Sequence, residues 1–187
     1  MAKQEIRSSQ LTYEDYLQFP DDGKRHEIIE GDHYVTPAPK TKHQRISVNL
    51  STAMSSFAKR ENAGLVFTAP CDVILSDDNV VQPDLMFVSA ARAAIVTEDN
   101  IQGAPDLIVE ILSASSRKKD EVTKRKLYER FGVQEYWVVD PELETVKIFK
   151  LAQQKFGRAV ELSKESDDVL TTELLPSFRL SVSEIFD

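Results

Sequence analysis

The run Pro105-Asp106-Leu107-Ile108-Val109-Glu110-Ile111-Leu112 restricts the fold more than any other stretch of the chain. Near-continuous β-branched and aliphatic residues of this length predict a strand covered on both faces. A period of two puts Asp106, Ile108, Glu110 and Leu112 on one face, and Leu107, Val109 and Ile111 on the other. Glu110 therefore falls mid-strand in a covered sheet. A charged carboxylate there costs several kcal/mol, roughly, unless it is paired or holds a cation. Asp84 poses the same problem. It follows Pro83 inside the apolar run Val80 to Val88, which reads as one strand. A hairpin with a long loop would make the two strands neighbours and let Asp84 and Glu110 converge.

The rest of the chain supplies a frame for that pair. Leu11 to Leu17 reads as a short helix capped by Thr12 with an acid three residues on, stopped by Pro20. His26 to Glu30 and His33 to Val35, joined by Gly31-Asp32, read as a hairpin. Ile46, Leu50, Met54 and Phe57 recur at helical spacing between Thr41 and Asn62. Strands are expected at Leu65–Thr68, Asp72–Leu75, Tyr136–Val139, Thr145–Leu151 and Phe156–Leu162. A brief helical turn is expected at Ala90–Val96, a polar loop at Thr97–Ala104, and a helix from about Asp120 to Phe131. The tail from Leu174 to Phe186 is expected to pack back on the body. The class is α/β of a mixed kind: an antiparallel meander, then a strand-helix-strand crossover.

At 187 residues the chain is expected to form one domain over 1–187, with 1–10 as a loose arm. A net charge of -8 argues against tight nonspecific nucleic-acid binding. It argues less against a nuclease, because a metal-loaded carboxylate site differs in local charge from the bare chain. Cys71 stands alone, which excludes an internal disulfide and a cysteine-based zinc site. No run is long enough to span a membrane, and the first residues lack the apolar core of a secretion signal, so the expected compartment is the cytoplasm.

Other residues join the two acids. Asp120, Lys124 and Tyr128 share a stripe of one helix, at i, i+4 and i+8. Lys124 could position a nucleophilic water or offset charge on a phosphate in the transition state. Glu27 is a further oxygen donor, and His43 could reach a phosphate or a neighbouring carboxylate. Hard oxygen donors of this kind suit magnesium or manganese. Plainer roles stand beside these. Asp84 would cap a bulge, Glu110 would pair with Arg117, Asp120 would cap a helix, Tyr128 and Trp137 would be core, and Lys124 would be solvated. Arg117, Lys118 and Lys119 form an exposed basic face or a track for phosphates. His26 and His33 show no pattern.

Taken in order, Pro83-Asp84, Asp106 to Ser113, Ser115-Ser116-Arg117, Asp120, Lys124, Tyr128, Gly132-Val133 and Glu135 to Pro141 resemble a large bacterial family assigned as endonucleases. That family lies within the PD-(D/E)XK, restriction-endonuclease-like superfamily. The resemblance extends to Glu27, Gly31, the Pro37–His43 segment, Leu175-Pro176 and Ile185-Phe186. It implies a central mixed sheet flanked by helices and a metal-dependent endonuclease acting on DNA. Asp84 matches the first acid of the motif and Glu110 the second. The motif lysine, expected two residues after the second acid, is Leu112 here, and Lys124 of the next helix matches a displaced lysine. The resemblance implies catalysis by Asp84, Glu110 and Lys124, with Mg2+ or Mn2+ on Asp84, Glu110 and Glu27. Asp120, Tyr128 and His43 would support them, and a homodimer would suit cleavage of two strands. The rival reading is a binding module that keeps the fold and has lost cleavage, favoured by Leu112 and the acidic charge. Hydrolysis of another phosphodiester is a third.

Overall fold

The computed structural model describes residues 10–187. The expected loose arm over residues 1–10 lies, save for Gln10, outside the described residues. The elements begin with α1 (Tyr13–Tyr16), β1 (Arg25–Ile29), β2 (Asp32–Thr36) and the long α2 (Thr41–Arg60). Strands β3 (Gly64–Thr68), β4 (Val73–Ser76), β5 (Asn79–Val81), β6 (Leu85–Ser89), β7 (Ile101–Gln102) and β8 (Leu107–Ile111) follow. A helical segment at Lys119–Lys124 runs into α3 (Arg125–Arg130), then β9 (Glu135–Asp140) and β10 (Thr145–Ala152). The chain closes with β11 (Lys155–Phe156), β12 (Val160–Ser163), β13 (Val169–Leu170), β14 (Leu180–Ser181) and α4 (Val182–Phe186). At α1, Asp15 closes back on the backbone N–H of Thr12 at 2.8 Å, the reciprocal cap that the sequence spells.

Two sheets carry the fold. The larger runs β11-β10-β9-β8-β6-β3, with β12 also on β10; the smaller runs β2-β1-β5-β4-β7. Strand β8 pairs antiparallel with β6 and parallel with β9, and the helical segment makes the crossover between them. The sheet is mixed and flanked by helices. Both faces of β8 are core, as its pattern demanded. Leu107, Val109 and Ile111 pack with Leu50, Met54 and Trp137 beneath α2. Ile108 and Leu112 pack with Met86, Tyr128 and Tyr136 on the other side. The C-terminal α4 is buried against α2, where Asn49 donates to the Ile185 carbonyl at 3.2 Å.

Four sequence expectations need correction. The strand expected over Phe156–Leu162 is broken: Phe156 ends β11 and β12 starts at Val160, each pairing with β10. Val80–Val88 is not one strand, because Pro83 has no N–H for a ladder. The N–H of Gln82 turns to the Glu27 carboxylate at 3.0 Å instead. The chain there leaves the smaller sheet and enters the larger one. The polar loop Thr97–Ala104 hides β7, which pairs parallel with β4. The helix expected from Asp120 is already helical at Arg117, passes through a π turn at Lys119–Lys124, and holds Asp120 inside it rather than at a cap.

Candidate active site

The break at Pro83 puts Asp84 at the seam between the sheets. It lies one residue before the Leu85–Val109 pair, which sets it beside Glu110 on the neighbouring strand. Strand β1 of the smaller sheet brings Arg25 and Glu27 to the same seam, two residues apart and so on one face. The π turn brings Asp120 and Lys124 from above, and α2 brings His43. Glu27, Asp84, Glu110, Asp120 and Lys124 are all buried and line one chamber.

The contacts form a continuous network. Asp84 accepts from Arg25 at 2.6 Å and from the Ile111 N–H at 2.8 Å, and its other neighbour is Nε2 of His43 at 3.1 Å. The Lys124 ammonium lies 2.6 Å from Glu27 and 2.8 Å from Glu110, with Asp120 at 4.0 Å. Tyr128 donates to the same Glu110 oxygen at 2.7 Å. Lys119 reaches Glu27 at 2.8 Å and crosses the ring of Tyr34.

Four carboxylates thus face three cations, Arg25, Lys119 and Lys124, and the imbalance falls unevenly. Burial alone would raise every acid. At Glu27 the ammoniums of Lys124 and Lys119 outweigh burial and hold it at about 2. At Asp84 the His43 bond, Arg25 and the Ile111 N–H do the same, again to about 2. At Glu110 burial, with Asp120, Asp84 and Glu27 nearby, outweighs Lys124 and pushes the carboxyl up to about 8. Asp120 is raised for similar reasons. Lys124 is raised too, which by itself favours an ionised partner. The two directions agree once the ammonium is assigned first to Glu27, the shorter contact, with the surplus proton on the Glu110 side.

The donor set suits a hard divalent cation: several carboxylate oxygens, an excess of negative charge, and a buried Asp120 Oδ1 with no hydrogen-bond partner. As they stand, no three acids, histidines or cysteines among the described residues converge closely enough to ligate an ion. The cation spanning Glu27 and Glu110 is the ammonium of Lys124.

Most residues singled out in the sequence meet here: Asp84, Glu110, Lys124, Glu27, Asp120, Tyr128 and His43. Tyr128 touches Glu110 rather than Lys124. The pairing of Glu110 with Arg117 does not form. Arg117 instead grips Asp140, the last residue of β9, at 2.6 Å. Of the basic trio, Lys118 is exposed, while Arg117 and Lys119 are engaged with Asp140 and Glu27. Sequence reasoning missed Arg25; the available signal was its i, i+2 relation to Glu27 on a hairpin strand.

The profile of a family described as "Uma2: Putative restriction endonuclease" matches residues 13–183. Among solved structures, the chain is similar to a putative nuclease belonging to DUF820 from Anabaena variabilis ATCC 29413. The TM-score is 0.79 at 22% identity, covering 94% of this chain and 97% of that one. No curated protein matches the sequence. A match across most of the described residues places the chain in the Uma2 family of putative restriction endonucleases.

Proposed function

We propose that the protein hydrolyses phosphodiester bonds, most simply in DNA, with a divalent cation held by Asp84, Glu110 and Glu27. The observation that supports this is the buried set of surplus carboxylates around Lys124, on the fold of a nuclease family. Magnesium or manganese bound there would supply Lewis acidity toward a phosphoryl oxygen and toward water. Arg25, His43 and the Ile111 N–H hold Asp84 ionised and fixed. Tyr128 holds the Glu110 carboxyl in place. Lys124 takes the part of the motif lysine: released from one of its two carboxylates, its ammonium would orient the attacking water and offset phosphate charge. Leu112, at the usual lysine position, is buried in the core and is not replaced by any polar group of its own strand. Lys118 remains exposed for a backbone phosphate. Cleavage of plasmid with magnesium or manganese tests the reading. Wild type should cut, and Asp84→Ala, Glu110→Ala and Lys124→Ala should not. Wild-type activity retained by all three variants would sink it.

A second reading is a binding module that has lost cleavage. The contact that favours it is Lys124 itself, which already neutralises Glu27 and Glu110. It predicts no cleavage with any metal by a folded, nucleic-acid-binding wild type.

A further inference from the structure

The acids do not lie on an open surface. One chamber of about 430 Å3 holds Glu27, Glu110, Asp120 and Lys124. A second, of about 460 Å3, extends from Asp84 outward to Tyr16, Phe19 and Lys24. Arg25, Pro37, Pro39, His43, Gln82 and Asp84 line both, so the chambers meet along a shared wall. Asp84 is 5% exposed, Glu110 3% and Glu27 1%, so a substrate reaches them through these chambers.

Beyond Asp84, Arg25 and His43 on the shared wall, the hydrolytic machinery leaves the second chamber unused, yet it is furnished. Tyr16 and Phe19 meet edge to face at 5.6 Å, and Phe19 packs at 4.2 Å on His33. Lys24, paired with Asp22 at 2.8 Å, and Arg25, paired with Asp84, line the same chamber. Two residues of the shared wall carry a buried polar atom with no protein partner: Nδ1 of His43 and Oε1 of Gln82. His43 is only 8% exposed. Buried polar atoms are seldom left unpaired, although neither of these is open to the chamber as the wall stands.

We propose that the second chamber is a subsite for one unpaired nucleotide beside the scissile phosphate, so that the substrate is a single strand or a strand end and not intact duplex. The choice of ligand rests on the nuclease reading above. The chamber lies within the range of small-ligand pockets, roughly 300–1,000 Å3. It has room for one nucleotide unit, and the acids at its inner end are buried rather than open to a broad surface. An aromatic side accepts any base, because every base has a π face. Drawing a base out of duplex costs a few kcal/mol, roughly, which an unpaired strand avoids.

Fluorescence anisotropy with a labelled oligodeoxynucleotide, single-stranded or annealed, tests this in chelator and again in calcium. The single strand should bind at least about tenfold tighter than the duplex. Phe19→Ala should weaken single-strand binding by about tenfold, the effect of one lost stack, and leave duplex binding unchanged. A 2-aminopurine in the strand should be quenched by wild type, which serves if Phe19→Ala fails to fold. Equal or tighter duplex binding, absent single-strand binding in both conditions, or unquenched emission overturns the subsite. Cleavage of duplex without single-strand preference removes the subsite and keeps the nuclease. Single-strand binding with quenching, but no cleavage under any metal, does the reverse.

Discussion

Strand β8 is bracketed by two buried acids on the same face, Asp106 just before it and Glu110 near its end, and the two are treated in opposite ways. Asp106 accepts from the Ser89 N–H at 2.7 Å, from Gln134 at 2.6 Å and from Arg92 at 3.2 Å, with donors on both oxygens. Glu110 receives Lys124 and Tyr128 on a single oxygen and is surrounded by three further carboxylates. An acid matched donor by donor holds the chain in place. An acid crowded by acids costs stability and persists where chemistry needs it.

The largest expected separation is in catalysis. Asp84→Ala, Glu110→Ala and Lys124→Ala should each lower plasmid cleavage by at least about 1,000-fold, close to 4 kcal/mol in the barrier. Asp106→Asn should stay within about threefold of wild type, since its effect is confined to stability. Comparable losses at both ends of β8 would erase the distinction.

Stability should invert the ranking. Asp106→Ala strands the Ser89 N–H, Gln134 and Arg92, and should cost about 3 kcal/mol, the low end for a broken buried pair because Arg92 is partly exposed. Urea denaturation measures it.

The pH dependence separates Glu110 from its neighbour Glu27. Glu110 rises from 4.5 to about 8 on folding, so the native state holds its proton more tightly. Its contribution therefore falls as pH climbs through that window. Glu27 drops from 4.5 to about 2, so its stabilisation is complete above the upper value and vanishes as pH falls to the lower. In thermal melts from acid to mildly alkaline pH, Glu110→Gln should gain on wild type as pH rises. Glu27→Gln should lose most at neutral pH and converge with wild type in acid. Parallel profiles for the two variants would contradict the uneven sharing of Lys124.

The smallest effect is expected at Arg117, which pairs with Asp140 from a partly exposed position. Arg117→Ala should cost about 0.5–1 kcal/mol in urea melts and change cleavage less than twofold.

What was legible in the sequence depends on local period. Alternation alone put Glu110 and Asp106 on one face of a covered strand, and helical spacing aligned Asp120 with Lys124. What escaped depends on distant partners. The run Val80–Val88 is uniformly apolar, so nothing in its hydropathy marks the transfer between sheets at Pro83. The π turn at Lys119–Lys124 adds backbone length without changing residue pattern, and such turns recur at functional sites. Arg25 and the attachment of Arg117 to Asp140 are pairings set by tertiary structure; a lone arginine in a hairpin does not announce which acid it will meet.

Calorimetric titration of manganese into wild type, Asp84→Asn, Glu110→Gln and Asp106→Asn, each shown folded by circular dichroism, tests the surplus-acid account most directly. Saturable millimolar binding should be present in wild type and Asp106→Asn and lost in Asp84→Asn and Glu110→Gln. A folded wild type that takes up no ion, or variants at Asp84 and Glu110 that bind as well as wild type, would contradict it.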